Sequence, residues 1–208
     1  SPWNPDRLFV TTTGAGVFVL DLAAETVSPL VEFQDDVVHA LAFEPRDRTS
    51  SERKTIYVGV YGQGVFKREG ASSWIPWNHG LPYPTIRTLV KAPERLYAGT
   101  SKGLFLLGTR TGEWEPCFEG VKNTHIYSMA SGPEGKILFL GSGPFEGKKP
   151  RFRPLPPTLY KSTDGARSWA PCEDALPENT LVYDIVVHPK DASHAFLGTS
   201  KGVFRTTD

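Results

Sequence analysis

The sequence is poor in the residues that mark several common protein classes. It has one methionine and two cysteines, and it contains no apolar run of about 18 residues, the length that a membrane-spanning helix needs. Its first residues carry neither the basic stretch nor the apolar core of a secretory signal peptide. The few cysteines favour a reducing compartment such as the cytoplasm, since small secreted folds usually carry more, and the localisation stays open.

The chain also lacks an excess of charge of either sign. It has 23 basic and 23 acidic residues, so its formal net charge is zero. Because no overall field would attract a polyanion, we expect neither nucleic acid nor an anionic membrane surface as a partner. Neither a CxxC nor an HExxH motif is present, and histidines and cysteines do not cluster at ligand spacing. The sequence therefore predicts no metal site and no cofactor.

Glycine, proline and aromatic residues are abundant instead. The chain contains 20 glycines and 18 prolines, and 12% of its residues are aromatic, a composition typical of many short strands joined by tight turns. One segment recurs almost unchanged at residues 99–105 (GTSKGLF) and 198–204 (GTSKGVF), with weaker copies at 59–66 and 11–18. The copies lie roughly 40 to 50 residues apart, the spacing of four-stranded propeller blades.

Each repeat is predicted to contain four strands. An inner strand that ends at proline is followed by a second strand that ends at glycine, then by the recurring segment, and then by an outer strand with the pattern Trp-x-Pro. Proline cannot donate to a central ladder, so the fourth strand is expected at the outer edge. Cys117 and Cys172 occupy matching outer-strand positions, where the predicted Cα separation exceeds the roughly 7 Å limit for a disulfide, so both are predicted to be packed thiols.

These strands predict an all-β fold, a β-propeller of antiparallel four-stranded blades. About five blade equivalents fit the chain as one domain, three complete and two partial, at approximately 1–33, 37–82, 85–121, 125–177 and 181–208. A two-sheet sandwich would explain the composition but not the fourfold pattern within each repeat. Two arrangements stay open, a segment of a larger propeller, which we favour, and a five-bladed ring with incomplete terminal blades.

A short motif lies between the third and fourth strands of the fourth repeat. Residues 162–169 (STDGARSW) resemble the Asp-box, Ser/Thr-x-Asp-x-Gly-x-x-Trp, of the BNR-repeat propellers, which include sialidases, xyloglucan-cleaving hydrolases, sortilin-type receptors and a photosystem II assembly factor. Ala166 stands where the pattern has glycine, and we expect Gly165 to supply the freedom that the turn needs. The resemblance implies a structural role, away from any substrate site, for Ser162, Asp164, Gly165 and Trp169.

The best candidate binding site lies at the face where the inner strands begin, here called the entry face. Aligning the inner strands on their terminal prolines brings one polar or aromatic residue from each strand into a single column, with Asp184 beside it: His39, Arg87, Tyr127 and Tyr183. Converging polar groups of this kind mark a ligand pocket. The alternative is that these side chains only fill the propeller channel.

A second candidate is the long connection between the second and third strands of the fourth repeat, residues 143–157. Loops of this length in compact domains are usually functional or disordered. Its four cations suit a carboxylate, a phosphate or an acidic protein surface: Lys148, Lys149, Arg151 and Arg153. A solvated proline-rich excursion is the alternative, and the basic run is too short to indicate nucleic acid.

Two functions remain from the sequence. A glycoside hydrolase normally uses two facing carboxylates, and Asp184 is the only suitable one in the inner strands, with Asp35, Asp36 and Glu178 as loop candidates for the second. The Phe-Arg-Ile-Pro signature of sialidases is absent. We therefore favour a non-catalytic propeller that binds a protein or a carbohydrate, including an anionic one; the alternative is a hydrolase with Asp184 as a catalytic carboxylate.

Overall fold

The computed structural model of the chain describes residues 1–44, 54–122, 124–144, 158–173 and 175–206. Within these ranges it contains eighteen short strands in five antiparallel sheets and one turn of 3-10 helix, Val31–Phe33. The sheets are five consecutive blades of a β-propeller, so the predicted fold class is confirmed. Among the described residues, no helix has the length and apolar character needed to cross a membrane.

Strands follow one another in chain order within every sheet. Blade one has three strands: β1 (Arg7–Thr11), β2 (Val17–Asp21) and β3 (Thr26–Pro29). Blade two has four: β4 (Val38–Phe43), β5 (Thr55–Val60), β6 (Gly64–Glu69) and β7 (Ile75–Pro76). Blade three has four: β8 (Ile86–Lys91), β9 (Leu96–Thr100), β10 (Gly103–Leu107) and β11 (Trp114–Pro116). Blade four has four: β12 (His125–Ser131), β13 (Leu138–Gly143), β14 (Leu159–Ser162) and β15 (Ala170–Pro171). Blade five has three: β16 (Val182–His188), β17 (Asp191–Thr199) and β18 (Gly202–Thr206).

The apolar core is divided among the interfaces between successive blades. Four clusters of buried side chains fill the four interfaces, and each cluster draws residues from two neighbouring blades. In the cluster between blades three and four, for example, Tyr97 and Leu104 meet Ile126 and Leu140. Because both faces of a central blade are covered in this way, every residue of its second strand is buried, in β5, β9 and β13 alike.

A glycine in the second strand of each central blade lets the next blade approach closely. A Cβ added to Gly99 would lie 2.5 Å from Cγ2 of Thr88 and 2.7 Å from Cγ2 of Ile126 in the following blade. Such distances are well inside van der Waals contact, so the side chain of Ile126 packs directly on the backbone of Gly99. Gly198 is the matching residue of blade five, where an added Cβ would meet only Asp184, at 3.6 Å.

Blade five leaves the corresponding side exposed. The side chain of Leu104 is fully buried, whereas its counterpart Val203 is 77% exposed. Tyr97 is likewise fully buried, whereas its counterpart Phe196 is 50% exposed. Among the described residues, this side of the last blade is therefore not packed on another blade.

A tryptophan at the start of the outer strand links blade three to blade two, and another links blade four to blade three. The indole N–H of Trp114 donates to the carbonyl of Trp77 at 2.7 Å, and that of Trp169 donates to the carbonyl of Cys117 at 2.8 Å. The indole N–H of each tryptophan is thus bonded to the preceding blade, which makes the residue an inter-blade contact.

The Asp-box turn is closed by its carboxylate. Asp164 accepts backbone N–H bonds from Arg167 (3.0 Å) and Ser168 (3.1 Å), and side-chain bonds from the hydroxyls of Ser168 (2.7 Å) and Ser162 (2.8 Å). These donors, with the Ser168 hydroxyl foremost, hold the pKa of Asp164 well below its usual range. The turn is also tied to the preceding blade, because the guanidinium of Arg95 donates to the carbonyl of Gly165 at 2.7 Å.

The backbone of this turn differs from the expectation in one respect. Gly165 has a φ of 73°, as predicted, but Ala166 is also left-handed, with a φ of 67°. An alanine in this region costs about 1 to 2 kcal/mol relative to its ordinary conformation. The turn therefore needs left-handed backbone at both positions, and the alanine is held there by the surrounding hydrogen bonds.

Both cysteines are unpaired thiols in the structure, as predicted. The thiol of Cys117 is 3.7 Å from the carbonyl of Leu104, and burial raises its pKa to about 12. Burial raises the pKa of Cys172 as well. Neither thiol is therefore a reactive thiolate at neutral pH.

The repeat supplies a matched pair of substitutions for the blade contact. Gly99→Ala should lower the free energy of unfolding by about 1 to 3 kcal/mol, because the new methyl overpacks the interface with Ile126. Gly198→Ala should change it by less than about 1 kcal/mol, since the space beside Gly198 is open. Urea denaturation of the two variants checks this, and equal losses would contradict the proposed packing.

The Asp-box makes stability depend on pH in a defined direction. Because the folded pKa of Asp164 lies below its unfolded value of about 3.9, the carboxylate stabilises the fold above that value and loses its effect as the pH falls toward the folded pKa. Asp164→Ala should therefore reduce stability most at pH 7, and its difference from the wild type should shrink below about pH 4. Urea midpoints from pH 7 to pH 2.5 measure this; a constant difference would refute it. In a carboxylate NMR titration, Ser168→Ala should raise the pKa of Asp164.

Candidate functional site

The inner strands of blades two, three, four and five are all interrupted by the same irregularity. In β4 the pairing steps from Val38 opposite Val60 to Ala40 opposite Gly59, which leaves one extra residue in the inner strand. β8, β12 and β16 show the same step at matching places. The four extra residues are those of the predicted column: His39, Arg87, Tyr127 and Tyr183. A β-bulge of this kind re-aims a side chain and is common beside binding sites.

Three of the four bulged residues form a continuous strip. The rings of Tyr127 and Tyr183 are 5.9 Å apart and nearly perpendicular, at 86°. The guanidinium carbon of Arg87 lies 5.9 Å from the centre of the Tyr127 ring, a cation–π arrangement. The ring of His125, in the same strand as Tyr127, lies 4.8 Å from the Tyr127 ring. The strip therefore spans blades three, four and five.

His39 belongs to a separate group. Its ring contacts Tyr61, with the ring centres 5.9 Å apart and an angle of 73°. Tyr61 lies in the turn between the second and third strands of blade two and is largely exposed. The predicted column is thus two groups at the entry face, the Arg87–Tyr127–Tyr183 strip and the His39–Tyr61 pair.

The two tyrosines of the strip differ in burial. Tyr127 is only 9% exposed, and its hydroxyl donates to the carbonyl of Pro144 at the start of the long connection. Tyr183 is 47% exposed. Tyr127 is therefore a supporting residue whose position is fixed by packing, whereas Tyr183 presents its ring to solvent.

The carboxylate beside the strip is exposed and is bonded locally. Asp184 accepts the backbone N–H of its neighbour Ile185 at 2.9 Å. The matching positions of the other inner strands are Ala40, Thr88 and Ser128, so the adjacent column has a single carboxylate. Of the loop candidates, Asp36 accepts a hydrogen bond from the amide of Gln63 at 2.6 Å. Within the described ranges, no group of three histidine, cysteine, aspartate or glutamate residues is placed to hold a metal ion.

Two lysines add positive charge in the turns at the entry face. The ammonium of Lys102 lies 4.6 Å from the centre of the Tyr83 ring. The ammonium of Lys201, its counterpart in blade five, donates to the carbonyl of Glu178 at 2.6 Å. Both turns are closed by a threonine hydroxyl, from Thr100 and from Thr199, that donates to the backbone. The repeated GTSKG sequence thus presents one lysine from each of two blades.

The basic connection begins and ends at the same face. β13 ends at Gly143 and β14 begins at Leu159, and the backbone N–H of Ser142 donates to the carbonyl of Thr158 at 2.8 Å. Lys148, Lys149, Arg151 and Arg153 lie outside the described residues. Their proposed contact with an anionic ligand stays a prediction.

Some residues of the site were not predicted from the sequence. His125 lies directly before the inner-strand residue Ile126, and Tyr61 follows the second strand of blade two, so both fall outside the aligned column. A signal was present in each case, because an aromatic side chain directly beside a strand end at the entry face is within reach of the column. Tyr83 and Lys102 of blade three were likewise not predicted, although both lie in turns next to strands that end or begin at this face.

Comparison with known proteins supports the fold and leaves the family open. No protein-family model matches the sequence, and no curated protein matches it either. Solved structures that resemble the chain are propellers with low sequence identity, so the likeness concerns the fold alone. The Asp-box resemblance is therefore not established as family membership.

Three of these structures illustrate the range. The extracellular domain of BT4673 from B. thetaiotaomicron has a TM-score of 0.72 at 16% identity, with 98% of this chain and 25% of that chain covered. The GH74 xyloglucanase from Xanthomonas campestris has a TM-score of 0.70 at 16% identity, with 98% and 35% covered. YCF48 from Cyanidioschyzon merolae has a TM-score of 0.65 at 13% identity, with 97% and 64% covered. The chain thus spans between about a quarter and two thirds of the length of these propellers.

The difference in burial between the two tyrosines predicts different effects on stability. Tyr127→Ala should lower the free energy of unfolding by about 3 kcal/mol or more, as for other buried aromatic residues. Tyr183→Ala should lower it by about 1 kcal/mol or less, because half of that side chain is already in water. Denaturant unfolding of the two variants measures the contrast. A large loss for Tyr183→Ala would assign that ring to packing and not to a binding surface.

Proposed function

We propose that this chain is a non-catalytic binding propeller that holds a carbohydrate or protein ligand on its entry face. The observation that carries the proposal is the β-bulge repeated in four consecutive blades, which places His39, Arg87, Tyr127 and Tyr183 at equivalent points. A bulge interrupts the hydrogen-bond ladder and re-aims the side chain of the extra residue. Because all four extra residues have large polar or aromatic side chains, the repeated bulge favours a role in presenting these side chains to a ligand.

The chemistry of the strip suits binding. Tyrosine and arginine are enriched among the residues that dominate binding energy, because they offer large, rigid contact areas and directed hydrogen bonds. Here one tyrosine ring is exposed and the other supports it, and the guanidinium lies against the supporting ring. An aromatic ring flanked by donors fits the apolar face and the hydroxyls of a sugar ring, or a side chain of a protein partner.

The charges of the face extend this preference to anionic ligands. Arg87, Lys102 and Lys201 lie at the entry face, and the basic connection begins and ends there. Asp184 is the opposing charge next to the strip. A ligand with both an apolar face and a carboxylate or sulfate group would use the ring of Tyr183 and the guanidinium of Arg87 together.

Catalysis is less well supported. Glycoside hydrolases use two carboxylates placed across the scissile bond, and the inner-strand columns contain Asp184 alone. The likeness to a GH74 xyloglucanase, at 16% identity, gives a sensible probe, xyloglucan, and does not assign an activity. We therefore treat hydrolysis through Asp184 as the outcome that would overturn the proposal.

A glycan array tests the proposal. It contains xyloglucan oligosaccharides together with sialylated and uronic-acid glycans, and calorimetry then measures the affinity of the protein for each glycan that it binds on the array. Tyr183→Ala and Arg87→Ala should each weaken binding at least tenfold, the effect expected of a binding hot spot. Phe196→Ala provides the control, because this aromatic residue is equally exposed in blade five but lies away from the entry face. Equal affinities for all four proteins would remove the strip from the binding surface.

Incubation of the same glycans with the protein separates binding from turnover. We expect no release of reducing ends above the rate without protein. Release that Asp184→Asn abolishes, without loss of binding, would contradict the non-catalytic function and support the hydrolase alternative.

A further inference from the structure

A cleft of about 560 Å³ lies between blades three and four, at the face opposite the entry face. Three turns line it: residues 92–95 between β8 and β9, residues 134–136 between β12 and β13, and the Asp-box turn between β14 and β15. Blade two packs on the far side of blade three and blade five on the far side of blade four, so the cleft belongs to the interior of the arc. Its volume lies in the range of roughly 300 to 1,000 Å³ that is usual for small-molecule sites.

Direct contacts fix the three turns relative to one another. The guanidinium of Arg95 donates to the carbonyl of Gly165 at 2.7 Å, and the backbone N–H of Gly165 donates to the carbonyl of Lys136 at 3.1 Å. A Cβ added to Gly135 would lie 2.9 Å from Cδ of Pro93, so the turns of the two blades touch there. The walls of the cleft are therefore preorganised, and a ligand that enters it has little backbone to immobilise.

Charged side chains of both signs line the cleft. Each turn contributes one cation, Arg95, Lys136 or Arg167, and the first two turns also contribute the carboxylates of Glu94 and Glu134. The ion pairs of the described residues include none of these five side chains. The carboxylate of the Asp-box is already satisfied by its own turn, from which it accepts four hydrogen bonds. The cleft thus offers charges of both signs to a ligand.

The preceding interface, between blades two and three, has a carboxylate of its own at the matching place. Glu44 accepts a hydrogen bond from the hydroxyl of Tyr57 at 3.3 Å and pairs with the ammonium of Lys91 at 3.2 Å. Alignment of the inner strands on their terminal prolines puts Ala92, which lines the cleft, at the position of Glu44. The interface between blades three and four therefore has no carboxylate where the preceding interface uses one to neutralise a cation.

Arg95 is the cation most affected by this difference. Its guanidinium and the hydroxyl of Tyr97, the counterpart of Tyr57, both donate to the carbonyl of Gly165, a neutral acceptor. A guanidinium has five N–H donors in a planar fork that matches a carboxylate, so Arg95 keeps donors for a further acceptor. Because Arg95 is partly buried, a charged hydrogen bond to it is screened less than one at the exposed tips of the turns.

We propose that this cleft binds a free α-amino acid, with its carboxylate on Arg95 and its ammonium group on Glu94 or Glu134. A simple anion would satisfy the cations and leave two carboxylates facing it, whereas a zwitterion gives each sign a partner. Ala92 and Pro93 offer apolar surface to the side chain of the amino acid. The site is at the opposite face from the strip, so it is independent of the function proposed above.

Thermal unfolding of the 208-residue protein with each of the common L-amino acids tests the proposal, and calorimetry then measures the affinity for those that raise the midpoint. We expect at least one amino acid to do so, because a ligand that binds only the folded state shifts the unfolding equilibrium. N-acetylation or amidation of that amino acid removes one of its two charges and should weaken binding about tenfold. Stabilisation by none of the amino acids, equal binding of the blocked forms, or displacement by an equal concentration of acetate would overturn the proposal.

Variants of the protein locate the site. Arg95→Lys keeps a donor for Gly165 but loses the fork, and should weaken binding about tenfold. Glu94→Gln combined with Glu134→Gln should weaken it several-fold, since these more exposed groups contribute less. Arg110→Ala is the control, because this exposed arginine lies in the corresponding turn of blade three and does not line the cleft; it should bind as the wild type does. Circular dichroism checks that each variant is folded, and wild-type affinity in both cleft variants would contradict the assignment.

A matched pair of substitutions at Ala92 tests the carboxylate position without a ligand. Ala92→Glu restores the residue of blade two and should unfold at a higher temperature than Ala92→Gln at pH 7, because only the glutamate neutralises Arg95. Ala92→Glu should also lose binding of the amino acid, since its own carboxylate takes the guanidinium. Equal midpoints for the two variants, together with unchanged binding by Ala92→Glu, would show that Arg95 takes no carboxylate and would overturn the proposal.

Discussion

The structure depends on the direct contact between the second strand of one blade and the inner strand of the next. Glycine at positions 59, 99 and 141 removes the side chain that would hold these strands apart, and the next blade places β-branched residues in the space. The indole bond at the rim then fixes the outer strands in the same register. Inner and outer contacts together define the angle between blades, so every feature of the entry face takes its position from them.

Two kinds of backbone irregularity, the β-bulges and the Asp-box turn, occur at opposite ends of the blades. At the entry face, each bulge takes one residue out of the ladder, and these residues form the Arg87–Tyr127–Tyr183 strip and the His39–Tyr61 pair. At the other face, the Asp-box of blade four holds a left-handed turn against the preceding blade through Arg95 and Tyr97. The first irregularity weakens local pairing and presents side chains, whereas the second strengthens the interface. Binding and stability are therefore separated in space along each strand.

Most of the fold could be predicted from the sequence, because a propeller repeats its pattern. The Trp-x-Pro segments lie at outer edges as expected, and eighteen strands form three blades of four and two of three. The bulges could not be predicted, since an extra residue in one strand leaves its own sequence pattern unchanged and becomes visible only from the register with its partner. The column was found for a different reason, the alignment on proline, and that alignment could not show that Arg87, Tyr127 and Tyr183 touch while His39 pairs with Tyr61. The bond of Trp169 to the preceding blade also required coordinates, because a tryptophan beside a turn is compatible with contacts to either blade.

Because blades touch only their neighbours, the stability of the arc is a sum of nearest-neighbour terms, as in other repeat proteins. The three central blades each have two such neighbours in the described structure, whereas blades one and five each have one. Within the described residues, the packing around blade five is therefore less extensive than the packing around blade three. Tyr183, the exposed ring of the strip, lies on this terminal blade. A ligand that contacts it together with Arg87 would hold blade five against the more rigid centre, so occupancy of the entry face and order at the end of the arc are thermodynamically linked.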